Sequence, residues 1–189
     1  MSLTMPQKIQ KPAGETRQPK TVEDCLEMLK SSDRNERSNA VWALAKAVND
    51  LGVGQLHGKE KEVTDALFKL LKSDETDTTK LGALNVLREM VQKESGAARL
   101  VREGLGEHIQ FLVKKVREEN DDWAKTNLVR IAKFSPEVRK SVLAELDKFE
   151  NEAKEAGDEG LARRAHVLAF KARHESRELA PESETPTHL

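Results

Sequence analysis

Apolar residues recur along this chain at helical spacing, and they do so in paired runs. Val22, Cys25, Leu26 and Leu29 form an i, i+3, i+4, i+7 stripe, the signature of a helix that buries one face. Val63, Ala66, Leu67 and Leu70 repeat it, as do Ile109, Leu112, Val113 and Val116. Val142, Leu146 and Phe149 give a weaker fourth copy. After each stripe comes a short polar link and a second amphipathic run. These runs are Ala40, Val41, Leu44, Val48; Ala83, Leu84, Leu87, Val91; Asn127, Leu128, Ile131; and Ala165, Leu168. Self-similarity at a period of roughly 40–45 residues, helix pair after helix pair, predicts an α-solenoid. Such a fold exposes a long surface and rarely carries a catalytic pocket.

The residues between the stripes supply helix starts and stops. Thr21 is placed to N-cap the first helix, with Asp24 favouring its positive end. Asp33 followed by Glu36 reads as a capping-box variant for the second. Gly52 ends that helix, and Gly54 and Gly58 mark a loop before the next pair. Asp74 or Asp77 starts a helix through Lys80 to Gln92. Ser95 and Gly96 open a short helix over 97–103, which Gly104 closes, and Asp121 or Asp122 caps the helix that carries Trp123 to Lys133. Ser135-Pro136 is a strong start, because proline at the first helical position lacks an N–H that would have no partner there. That helix is expected to run to about Ala156, where Gly157-Asp158-Glu159-Gly160 breaks it before a last helix over 161–174. No segment reads as a strand.

Composition narrows the class. Charged residues make up 34% of the 189-residue chain and aromatics 4%, with no Tyr. That mixture suits solvated helix faces over an aliphatic core and argues against a β-sandwich. The net charge of −1 provides no bulk attraction for nucleic acid. A lone cysteine excludes an intramolecular disulfide and gives no hint of an oxidising compartment. No apolar run approaches the ~18 residues of a membrane span, and residues 1–20 are too polar for a signal peptide. The expectation is a soluble intracellular protein, cytoplasmic, with the nucleus also open. Residues 1–20 read as a disordered basic arm, 21–174 as the repeat domain, and 175–189 as a disordered acidic tail.

The segment 95–134, SGAARLVREGLGEHIQFLVKKVREENDDWAKTNLVRIAKF, resembles an armadillo repeat: a short first helix, a glycine turn, a second helix, and a third after a polar link. Ala40-Val41-Trp42-Ala43-Leu44-Ala45-Lys46 looks like the third helix of the nuclear-import-adaptor kind of that repeat. The family pattern there is Ala-x-Trp-Ala-Leu with an Asn four residues after the Trp. The loop at 51–60 without a first helix, and the merged helix from 136 to 156, lean toward the related two-helix HEAT repeat. The resemblance covers roughly residues 21–175 and implies an all-α, right-handed α-α superhelix of about four armadillo/HEAT-like repeats.

In the family, a Trp column and an Asn column line a concave groove that holds an extended peptide. Carried onto this chain, the first column reads Trp42, Asn85, Val129 and Val167, and the second reads Lys46, Glu89, Lys133 and Lys171. No Asn stands in the backbone-binding column, and a basic signal peptide would meet like charges there. The lysines, with Arg37 and Lys80 one turn earlier and Arg130, Arg163 and Arg164 nearby, imply a net positive groove suited to an acidic or phosphorylated segment or to a nucleic-acid backbone. Trp42 offers a large apolar face with one N–H donor, fit either to anchor a partner or to pack on the neighbouring repeat. Trp123, behind two aspartates, reads as a cover for the end of its repeat.

Nothing points to chemistry. Cys25 occupies a core stripe position. His57, His108, His166, His174 and His188 are scattered, without metal-ligand spacing. Gly52-x-Gly54 follows a helix rather than a strand, so a dinucleotide motif fails on context. The expectation is therefore a non-enzyme without metal or cofactor, a scaffold that receives a protein or peptide partner at Trp42, Lys46, Asn85, Glu89, Lys133 and Lys171. Two alternatives stay open: a HEAT-like nucleic-acid binder, and a structural solenoid that self-associates as a homodimer.

Overall fold

The structure, a computed structural model, describes residues 18–92 and 96–174. Within them the chain forms eight α-helices and one 3-10 turn, and no strand. The helices are α1 (Val22–Met28), α2 (Arg34–Leu51), α3 (Glu60–Leu71), α4 (Asp77–Gln92), α5 (Gly96–Glu119), α6 (Asp122–Ile131), α7 (Pro136–Glu155) and α8 (Glu159–His174). Most of the arm and all of the tail lie outside the described residues, as does Ser95.

The expected caps form where their side chains find orphan amides. Thr21 and Asp24 make a reciprocal capping box on α1. Asp33 accepts from the Asn35 amide at 2.8 Å, Asp121 from Ala124 at 2.7 Å, and Ser135 from Val138 at 3.2 Å. For α4, Asp77 is the first helical residue, but neither it nor Asp74 is the cap. Thr76 accepts from the Thr79 amide at 3.2 Å and takes that role.

All four stripes and all four second runs lie on buried faces, with Leu29 and Ala66 partly exposed at the rim. The odd-numbered helices α1, α3, α5 and α7 touch in chain order, and so do α2, α4, α6 and α8. Each odd helix also packs on the even helix that follows it, and the core lies between the two rows. The loop at 51–60 contributes to it: Val53–Leu56 is a 3-10 turn whose two apolar ends are buried.

One expectation is overturned. Residues 96–134 form two helices where three were expected over 95–134, because α5 runs unbroken through Gly104. Its core stripe of Val101, Leu105, Ile109 and Leu112 is continuous and buried, which outweighs the ~1 kcal/mol that each interior glycine costs. Gly104 is there for proximity. A Cβ on it would stand 2.7 Å from Cδ2 of Phe68 on α3 and nearer still to Cε2.

Gly82 plays the same part where α4 crosses α2. A Cβ there would fall 2.7 Å from Cγ1 of Val41, which is fully buried and stiff at χ1. Gly82→Ala should therefore destabilise the fold by about 1–2 kcal/mol net, overpacking exceeding the gain in helix propensity. Gly106→Ala, with nothing within 4 Å of its new methyl, should instead stabilise by about 0.5–1 kcal/mol. Urea melts of the two variants check the pair, and a stabilised Gly82→Ala would show that α2 and α4 lie further apart.

Candidate functional site

The face formed by the even-numbered helices carries two open grooves, and the six residues expected to bind a partner divide between them. Helix α2 buries Ala40, Val41, Leu44 and Val48, so Trp42, one position past Val41, turns about 100° away from the core. It remains 42% exposed, while one edge of its ring covers Gly82, where a Cβ would lie 3.5 Å from Cε2. Trp42 and Lys46, one turn apart on α2, face Asn85 and Glu89, one turn apart on α4, across a groove of about 440 Å³. Glu89 accepts from its neighbour Arg88 at 3.0 Å, and the charged lining of Lys46, Arg88, Asp50 and Glu89 is balanced.

Lys133 and Lys171 lie apart from these, in a larger groove of about 700 Å³ between α6 and α8. Its floor is Val129, which is buried, and Val167, which is 43% exposed. Among the described residues, six cationic side chains and one carboxylate, Asp122, line it. Lys125 donates to Asp122 at 2.7 Å and holds that carboxyl below its ordinary range. Arg164 reaches back to the Val116 carbonyl at 3.1 Å.

Two cations expected in the groove are engaged elsewhere. Arg37 is ion-paired with Glu75 and donates to the Ser31 carbonyl at 2.6 Å, fastening the start of α2 to the link before α4. Lys80 lies 4.8 Å from the centre of the Trp123 ring, a cation–π contact. Trp123 itself is half-buried and packs on the core. Conversely, the apolar stripes do not single out Arg88, which lines the α2–α4 groove, or Phe170, which is exposed on α8. Phe170 is 54% exposed, three residues beyond Val167 on α8, and that spacing is the only signal for it in the sequence.

Two buried groups carry shifted protonation. Burial, with Asp24 adding to it, pushes the Cys25 thiol up to about 11, so it stays protonated at neutral pH. His108 is fully buried, its ring 5.8 Å from that of Phe68 and 5.9 Å from that of Phe111. Burial, and then the positive Lys72 and Lys80, lower it to about 4. Among the described residues neither ring nitrogen has a hydrogen-bond partner. Among the same residues no group of three or more His, Cys, Asp or Glu side chains is placed to hold a metal ion, and no helix is long and apolar enough to cross a membrane. No family model, curated protein or solved structure matches this chain.

Proposed function

We propose that this chain is a non-catalytic protein-interaction scaffold, a right-handed α-solenoid of about four armadillo/HEAT-like helix pairs. Its partner, an extended segment or a helix, lies on the face of the even-numbered helices. The order of contacts along the two rows supports the solenoid, and the two-helix form of 96–131 leans toward the HEAT type. The observation that carries the reading is Trp42, a side chain of this size left 42% exposed beside an open groove. Aromatic anchors of that kind dominate protein interfaces.

Trp42→Ala should weaken partner binding by about 2 kcal/mol or more while leaving helicity unchanged. Affinity capture from nuclease-treated lysate, with wild type and variant at equal loading, tests this. A protein retained by the wild type and lost from the variant is the expected result. Equal recovery on both baits, or binding that nuclease alone abolishes, would contradict it.

A further inference from the structure

The two grooves on this face differ in charge, and α8 supplies three of the six cations that line the more basic one, Arg163, Arg164 and Lys171. Arg163 and Lys171 are both exposed and have no ion-pair partner among the described residues. They stand one turn before and one turn after Val167, so the helix presents cation, apolar group and cation in a line. Phe170, three residues beyond Val167 on α8, is a further exposed apolar side chain, its ring 4.2 Å from that of His174. Across the groove, the Arg130 guanidinium on α6 makes, among the described residues, a single long 3.5 Å contact, to Asn127.

We infer that the α6–α8 groove takes an acidic polypeptide segment in which carboxylates flank large apolar side chains. Val167 and Phe170 receive the apolar groups, while Arg163, Lys171 and Arg130 receive the carboxylates. The inference rests on the interaction reading above and adds the chemistry of the partner. Charge complementarity selects this occupant. A second copy docking through the same patch would set like charges against one another. A nucleic-acid backbone has no aliphatic group to cover Val167, and the chain's net charge of −1 offers it no attraction outside the groove.

The test is a titration of the isotopically labelled full chain with a short synthetic peptide in which glutamates flank a pair of leucines, followed by amide NMR shifts. Shifts should concentrate on α6 and α8 and leave α2 and α4 unmoved. Arg163→Glu with Lys171→Glu should weaken the peptide by about tenfold or more, and Val167→Ser should weaken it with the charges intact. Trp42→Ala should leave the titration unchanged. An unresponsive groove, or equal affinity in the charge-reversed chain, would overturn the inference. So would tighter binding of an oligonucleotide at the same residues, or concentration-dependent shifts of α8 without peptide. Replacing Glu175, Glu178, Glu182 and Glu184 by Gln in the full chain should not move α6 or α8 in the absence of peptide; movement there would assign the groove to the chain's own tail. If the peptide fails while the captured protein still depends on Trp42, the acidic specificity falls and the scaffold reading stands.

Discussion

Leu87→Ala should lower the unfolding free energy by about 2–5 kcal/mol, the range for removing a fully buried leucine from a rigid site. Leu87 has no exposed surface, and α4 is held on several sides, by α2, α3, α5 and α6. A helix restrained by four neighbours cannot move to fill the space left behind, which places the effect well above the bare transfer free energy of the lost atoms. Against a typical stability of ~5–15 kcal/mol, this is a large fraction. Asn85→Ala, two residues earlier on the exposed side of the same helix, should change stability by no more than about 0.5 kcal/mol. Denaturant midpoints at constant m-value read both. A loss below about 1 kcal/mol for Leu87→Ala would mean that α4 is rotated from the register described.

The second large effect is a loss of stability in acid that depends on His108. Its folded form is held neutral, lowered from 6.5 to about 4, so between those values the unfolded chain binds more protons than the folded one. Stability from this group is complete above pH 6.5 and falls as the pH drops through the folded value of about 4. Over the whole interval the loss is on the order of 3 kcal/mol. Among the described residues no hydrogen bond opposes it, because both ring nitrogens lie without a partner there, beside the Phe68 and Phe111 rings. His108→Leu should therefore be neutral or stabilising at pH 7, since it removes polar atoms that make no bond. It should also lose about 2–3 kcal/mol less than the wild type on going to pH 4.5. Comparison of the two chains cancels the surface carboxylates that titrate in the same range. Equal pH slopes would place a partner on the imidazole.

The helices were legible because their information is local. A stripe such as Ile109, Leu112, Val113 and Val116 needs only its own spacing to declare a buried face, and Ser135-Pro136 needs only itself to declare a start. The misreadings share a different cause. Gly104 looks like a helix stop until Phe68, thirty-six positions earlier in the chain, is seen to need the space above it. The three-residue spacing of Val53 and Leu56 marks the 3-10 turn at 53–56, but Gly52 before it and Gly54 within it hide it. His108 falls beside Ile109 within the α5 stripe and could have been read as buried; its lack of a partner could not. The site divides in the same way. Position within each repeat predicts one shared groove for Lys46, Glu89, Lys133 and Lys171; Lys46 and Glu89 line the α2–α4 groove, and Lys133 and Lys171 line the α6–α8 groove. That Arg37 and Lys80 do not join them is decided by Glu75 and Trp123, which reach them only through folding.

The face itself is open to a direct measurement. Lys46→benzoylphenylalanine puts a photo-crosslinker in the α2–α4 groove, and Lys114→benzoylphenylalanine puts one on the exposed side of the α5–α7 pair. Irradiated in lysate, the first should yield a crosslinked protein that disappears when Trp42→Ala is added, and the second should not yield that protein. The same adduct from position 114, or an adduct at position 46 that survives loss of Trp42, would contradict the assignment of the partner to the even-numbered helices.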